Sequence, residues 1–340
     1  MRTIVVVIRV DASVTIGTGH VMRCLVLADD LSEHGVDVLF ICRKTKGNLI
    51  SIMESKGYKV KTVGLDIEAR ETIAILQTIV SIDLLIIDHY GIDEQWEKRV
   101  RPYVKKLMVI DDLANRPHCC DLLLDQNELP NKEERYAHLV PTTTEKLLGL
   151  HYLLLRKEFR DFPGRKKSVH SISNVLVSFG GSDPTNETMK VMQAIHRLDV
   201  SIVVVVGSSY PYYQQLVQQY LEWDKIIILK QTSNMAEWMR KADIAIGAGG
   251  TSTWERVYME LPTITIDIAD NQTEILRHTS KLGIISHMGK SDEVTTTAIA
   301  NRITEMQRDK EIVNKLMRNM KEIKKQINPN GVCEHILNSI

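Results

Sequence analysis

The sequence predicts two doubly wound α/β domains. Three observations carry this reading. Short apolar, β-branched runs alternate with longer amphipathic stretches, the scheme recurs in both halves of the chain, and a polar break separates the halves. A length of 340 residues is also more than one hydrophobic core usually serves.

In the first half the runs are 3–8, 36–42, 82–88, 106–112 and 121–126. They are continuous rather than alternating, as parallel strands covered on both faces require. Between the first two, Val21, Leu25, Ala28 and Leu31 recur every three or four residues. That spacing puts them on one face of a helix over 20–34. Residues 156–173 are polar and basic, contain Pro163-Gly164 and hold no period, so they read as a linker. The runs at 174–179, 200–207, 225–229, 242–249 and 262–268 are the strands of the second half. The stretch 292–340 is mostly helical and broken by Asn328-Pro329-Asn330-Gly331. The expected division is 1–155, a linker at 156–173, and 174–340 with a helical tail.

Composition narrows the function classes. Lys plus Arg equals Asp plus Glu, 43 each, so no global field attracts nucleic acid or an acidic membrane. Five irregularly spaced cysteines imply no disulfide framework, and a reducing cytoplasm fits them. The N-terminal apolar run is too short for a signal peptide or a membrane span. No cofactor is implied, and the oligomeric state is left open.

In doubly wound sheets ligands sit beyond the carboxyl ends of the strands, so the loops there carry the chemistry. The first is Gly17-Thr18-Gly19-His20-Val21-Met22-Arg23. Its glycines permit a tight turn before a helix N-terminus, which favours an anion. Met22 stands where a dinucleotide fingerprint needs its third glycine, and the second strand ends in basic rather than acidic residues. His20 then stands out, because the helix dipole disfavours the imidazolium and a neutral ring can act as a base. A merely capping histidine is the competing reading.

The loop at 86–93 offers Asp88, His89 and Tyr90. Tyr90 can contact a sugar or orient a water, while Asp88 or Asp93 can simply cap a helix. Asp111, Asp112, His118, Cys119 and Asp121 match no zinc spacing, and no metal is expected. Gly180, Gly181 and Ser182 end a strand before Asp183-Pro184, which reads as a cap followed by Pro at the first helical position. Gly249, Gly250, Thr251 and Ser252 join backbone amides and hydroxyls at a helix N-terminus, a diphosphate cradle without the Walker lysine. Glu255 follows one turn in, where it can accept both hydroxyls of a ribose or serve as a first-turn acid. Asn271 and Gln272 follow the next strand and can read a nucleotide.

Together, "DASVTIGTGHVMRC", "IIDHYG", "VIDDLANRPHCCDLLLDQN", "SFGGSDPTN", "GAGGTSTWER" and "IADNQ" occur in order over 3–285. They resemble the UDP-2,4-diacetamido-2,4,6-trideoxy-β-L-altropyranose hydrolase family of pseudaminic acid biosynthesis, which includes the spore-coat polysaccharide biosynthesis protein G of bacilli. The resemblance extends to GT-B glycosyltransferases, among them the enzyme that adds N-acetylglucosamine to lipid II. It implies a GT-B fold with a cleft between the domains and a UDP-sugar substrate. It implies His20 as the base that activates water, Tyr90 beside sugar and water, Glu255 on the ribose and Asn271 on nucleotide or sugar. A sugar transferase with the same cleft is the alternative.

Overall fold

The computed structural model describes residues 3–13, 16–64, 69–162 and 171–340. The chain divides into two compact units, 1–156 with 327–340, and 157–326.

The first unit runs β1 (Val5–Val10), α1 (Gly19–Glu33), β2 (Asp37–Arg43), α2 (Ile50–Ser55), β3 (Lys59–Val63), α3 (Ala69–Leu76), β4 (Leu84–Asp88), α4 (Glu94–Val100), β5 (Lys106–Ile110), β6 (Leu122–Asp125), α5 (Lys132–Arg135) and β7 (Glu145–Leu148). The strands form one parallel sheet in the order β3-β2-β1-β4-β5-β6-β7. Both faces are covered, which is why the strands read as unbroken apolar runs. Val6, Ile8 and Val10 enter one core with Leu84 and Ile86, whereas Val7 enters another with Leu85 and Ile87. Val21, Leu25, Ala28 and Leu31 of α1 all bury against the first of these cores.

The second unit runs α6 (Lys157–Arg160), β8 (Asn174–Ser178), α7 (Glu187–Ile195), β9 (Ser201–Val206), α8 (Tyr213–Tyr220), β10 (Ile226–Lys230), α9 (Met235–Lys241), β11 (Ile244–Gly247), α10 (Thr251–Tyr258), β12 (Thr263–Asp267), α11 (Thr273–Lys281), β13 (Ser286–Lys290), α12 (Thr296–Arg308) and α13 (Lys310–Lys324). Its parallel sheet has the order β10-β9-β8-β11-β12-β13. In each sheet the chain winds outward to one side and then returns to start on the other. The reversal lies between β1 and β4 in the first sheet and between β8 and β11 in the second. Such switch points open a crevice at the carboxyl ends of the two strands.

Three strands have no counterpart in the sequence reading: β3, β7 and β13. All three are edge strands. An edge strand exposes one flank and tolerates polar residues, so "KVKTV", "EKLL" and "SHMGK" never form an apolar run.

Two expected boundaries are corrected. The linker at 156–173 is shorter than read, because α6 belongs to the second unit. Phe159 is fully buried, and the Glu158 carboxylate accepts the Ala236 N–H at 3.0 Å. Residues 163–170 of that linker lie outside the described residues. The tail is also divided. α12 and α13 stay with the second unit, but a last helix, α14 (Gly331–Ser339), packs on α1 of the first. Val332, Cys333 and Ile336 supply its apolar face, and His335 Nε2 lies 2.7 Å from Glu145 Oε2. Gly331 begins it because a Cβ there would sit 2.6 Å from the His151 carbonyl oxygen. No helix among the described residues is long and apolar enough to cross a membrane.

Candidate active site

The first switch point gathers an unusual density of buried charge. Asp11, just past β1, receives two bonds from Arg9 at 2.7 and 3.0 Å and two from Arg43 at 2.7 Å each. His89 adds its Nε2 at 3.1 Å. Burial alone would raise the Asp11 carboxyl, but His89 and Arg9 overcome it and hold it well below the ordinary range. The Gly91 N–H donates to His89 Nδ1 at 2.9 Å, so the His89 proton sits on Nε2 and faces Asp11. This histidine is committed at both ring nitrogens. The network ties the ends of β1, β2 and β4 together.

His20 is different. It sits in the first turn of α1 with 7% of its surface exposed. Its Nδ1 lies 2.5 Å from Asp88 Oδ1, the carboxylate that ends β4. With Nδ1–H donating to Asp88, Nε2 carries the lone pair. Asp88 is fully buried and takes two further bonds from Arg23, at 2.6 Å each. Burial pushes its carboxyl up, yet Arg23 and His20 hold it well below the usual carboxylate range. The helix dipole is therefore not the only field on His20, because a full carboxylate faces the same ring.

Arg23 reaches further, donating to Asp112 Oδ2 at 2.8 Å. Asp112 in turn accepts the Tyr90 hydroxyl at 2.7 Å. Burial, and then Asp112, push the Tyr90 phenol well above its ordinary value, so Tyr90 stays neutral with its one proton committed. The Tyr90 and His20 rings meet edge to face, 4.5 Å apart. The structure thus brings His20 and Tyr90 together. The sequence reading named Asp88, Arg23 and Asp112 but paired none of them with His20 or Tyr90. Arg23 lies one turn after His20 and so shares its helix face, a legible signal, but nothing in the sequence names the carboxylates it meets. Of the two aspartates read as caps, only Asp93 caps a helix, accepting Gln95 N and Trp96 N at 3.1 Å. Gly17 adopts φ +84° in the turn that delivers α1, and Gly19 is that helix's first residue.

The other polar residues of the third loop have structural partners. Asp111 accepts Arg116 at 2.8 Å, His118 Nδ1 meets Glu97 at 2.6 Å, and Asp121 holds Leu107 N at 2.7 Å.

In the second unit the expected residues stand at the other switch point. Gly180 (φ +84°), Gly181 and Ser182 follow β8. Gly207 at the end of β9 presses so close that a Cβ would lie 2.1 Å from the Gly181 oxygen. Asp183, 2% exposed, accepts Glu187 N and Thr188 N at 2.9 and 2.8 Å. Pro184 is therefore not the first helical residue as expected, because α7 starts only at Glu187, after a turn.

Gly249 to Ser252 follow β11 and open α10, with Gly250 at φ +97°. Gln272 has a structural role in addition to the nucleotide contact expected of it. Its Oε1 accepts both Gly249 N and Ile268 N at 3.2 Å and so staples this loop to the next. The Gly249 amide is thereby engaged, and the amides of Gly250, Thr251 and Ser252 have no hydrogen-bond partner among the described residues, as donors of a helix start. Glu255 is buried at 6% exposure, and Asn271 is exposed past β12.

Residues 174–329 match the glycosyltransferase family 28 C-terminal domain. The chain is 31% identical over 268 residues to uncharacterized protein MJ1062 of Methanocaldococcus jannaschii, across 75% of this chain and 54% of that one. It thus spans about half of that relative's length. It is 28% identical over 279 residues to the UDP-2,4-diacetamido-2,4,6-trideoxy-beta-L-altropyranose hydrolase of Campylobacter jejuni, covering 82% of this chain and 97% of that one. With the spore coat polysaccharide biosynthesis protein SpsG of Bacillus subtilis it shares 24% identity over 286 residues, 82% and 81% of the two chains. Among solved structures, Acinetobacter baumannii MurG superposes with a TM-score of 0.66 at 12% identity over 98% of each chain. Anabaena HepE in complex with UDP and glucose gives 0.60 at 12% identity over 99% of each. The fold is GT-B, with two Rossmann-like α/β domains. The chain is thus similar over most of its length to the UDP-2,4-diacetamido-2,4,6-trideoxy-β-L-altropyranose hydrolase and to SpsG, and its residues 174–329 match a glycosyltransferase family 28 C-terminal domain.

Proposed function

We propose that the chain hydrolyses a UDP-linked 2,4-diacetamido-2,4,6-trideoxyhexose to UDP and free sugar, in nonulosonic acid or spore coat polysaccharide biosynthesis. The observation that carries this reading is the 2.5 Å contact of His20 Nδ1 with Asp88, which leaves Nε2 as a proton acceptor. In the proposed step Nε2 takes a proton from water, the water oxygen bonds to C1, and the C1–O bond breaks with its electron pair going to UDP. Asp88 holds the ring and stabilises the imidazolium that forms. The Tyr90 proton is given to Asp112, so its oxygen is left to accept a hydrogen bond from the attacking water.

The first unit supplies the base and the second the grip on the nucleotide. The free amides of Gly250, Thr251 and Ser252 receive the diphosphate and the charge that develops on it. Gly180, Gly181 and Ser182 line the neighbouring strand end, Glu255 takes the ribose, and Asn271 meets nucleotide or sugar.

The family 28 domain supports a second reading, transfer of the sugar to an acceptor alcohol. The same base would deprotonate that alcohol. The deciding experiment gives the purified protein candidate UDP-diacetamido-trideoxyhexoses in ¹⁸O-water with no acceptor. Free sugar labelled at O1, with turnover largely lost in His20→Ala, is the expected result. UDP binding without release from any donor would overturn hydrolysis and direct the work to acceptors.

A further inference from the structure

Arg256 is a buried cation that no carboxylate pairs among the described residues. It lies within α10, one residue past Glu255, and is 2% exposed. Its guanidinium packs under the loop that opens the helix. Nη2 donates to the Ala248 carbonyl at 2.6 Å and to Thr253 Oγ1 at 3.2 Å, while Nη1 reaches Ser252 Oγ at 3.3 Å. Gly247 is held to glycine partly by this group, because a Cβ there would lie 3.0 Å from Nη1. Nε has no hydrogen-bond partner among the described residues. Burial pushes the guanidinium down to about 10, with the Glu255 carboxylate acting against it from beyond ion-pair distance. Every other deeply buried arginine described above has a carboxylate: Arg9 has Asp11, and Arg23 has Asp88 and Asp112.

A buried charge without a counter-charge is costly, and a protein retains one where something else supplies the opposite sign. What lies beside this one is donor-rich. The amides of Gly250, Thr251 and Ser252 have no partner among the described residues, and no acid stands in the first turn of α10. The Ser252 hydroxyl oxygen accepts from Arg256, so its own proton is left to donate outward. Ser252 is half-buried, whereas Thr253 is fully buried and reaches only inward. The arrangement therefore presents three N–H groups and one O–H to the outside, with a cation behind them.

We propose that Arg256 is the positioning cation of the diphosphate site in the second unit, acting through the Ser252 hydroxyl and the loop rather than by direct contact. The inference rests on the nucleotide reading above and names what sets its selectivity for charge. A bound diphosphate adds negative charge where no carboxylate is ion-paired with Arg256, and Arg256 fixes the polarity of the hydroxyl that meets it. Affinity should then rise steeply from uridine to UMP to UDP, and Arg256 should be the source of much of that rise.

The test is calorimetric titration of the full chain with uridine, UMP and UDP. The wild type, Arg256→Lys, Arg256→Gln and Ser252→Ala are compared, each first checked by circular dichroism. Arg256→Gln is expected to weaken UDP by about tenfold or more while changing uridine by less than about threefold. Arg256→Lys keeps the charge and should retain the order UDP over UMP over uridine. Equal loss for all three ligands in Arg256→Gln, or unchanged UDP affinity, overturns the proposal and leaves the nucleotide reading standing. Should Arg256→Gln fail to fold, Ser252→Ala decides, with a selective loss for UDP supporting the proposal and an unchanged UDP affinity overturning it. No UDP binding by the wild type overturns the nucleotide reading, and this inference with it.

Discussion

His20 Nδ1 and Asp88 Oδ1 lie 2.5 Å apart, although 68 positions separate the residues in sequence. They meet because β1 and β4 are neighbours at the point where the first sheet reverses its winding. One residue opens the helix after β1, and the other closes β4. Asp88→Asn offers an amide in place of the carboxylate and removes the charge that stabilises the imidazolium. Turnover should fall by about 10²–10⁴ with a much smaller change in KM. Steady-state kinetics on the UDP-sugar read this directly, and an unchanged kcat would mean that Asp88 only supports the fold.

Arg23 stands between two carboxylates, Asp88 and Asp112. Replacing it with Met leaves the buried Asp88 and the half-buried Asp112 without this cation, and the cost should be about 3–5 kcal/mol in unfolding experiments near neutral pH. The sign with pH reverses. In the wild type both carboxyls are held below the unfolded value of 3.8, so their contribution is present above that pH and lost as pH falls through the folded values. In Arg23→Met they are raised, and the variant should gain stability as pH falls from 7 towards 4. Stability that instead declines in parallel with wild type over that range would contradict the assignment.

Asp125 ends β6 and is buried beside Tyr136, whose hydroxyl lies 3.1 Å from Oδ2. Burial, with Asp112 adding to it, raises its carboxyl to about 6 from 3.8, against the amide of Asn127. The folded state therefore binds the proton more tightly than the unfolded one between these values. Stability is lost as pH rises from about 4 to 6, and the deficit persists above. Asp125→Asn keeps an acceptor for Asn127 and offers Tyr136 a donor. It should be stabilised at pH 8 by roughly 1–3 kcal/mol relative to wild type and should lose the slope between pH 4 and 6. Chemical denaturation at several pH values makes the comparison.

Tyr90→Phe keeps the ring edge against His20 and removes the oxygen. Asp112 retains Arg23, so stability should change by less than about 1 kcal/mol. Turnover should drop by about tenfold, the value of one hydrogen bond to the attacking water. An unchanged kcat would reduce Tyr90 to packing.

α14 is the last helix of the chain, yet it belongs to the first unit. Ile336 is fully buried against α1, the helix that carries His20. Ile336→Ala should cost about 2–5 kcal/mol. Hydrogen exchange should show that loss in α1 and α14 and not in α12 or α13.

How much of this was legible beforehand follows from which forces are local. The central strands, the α1 face and the glycine loops are written in residue type and spacing, because burial on both faces demands continuous apolar runs and tight turns demand glycine. The strand-end loops offered His20, Tyr90, Glu255 and Asn271 as candidates, and the resemblance implied a role for each. The edge strands β3, β7 and β13 were illegible because an edge can be polar and still pair. The docking of α14 was illegible because an amphipathic helix carries no label for its partner. The same holds for the site itself. Nothing near His20 in sequence announces Asp88, nothing near Gly249 announces Gln272, and nothing in "TSTWER" says that Arg256 turns back under its own loop. Those pairings depend on strand order and on which buried charges find each other. The sequence by itself determined where each polar group stands along its strand or helix, and the tertiary structure alone decided which of them meet, because desolvated charges are set by neighbours in space and not along the chain.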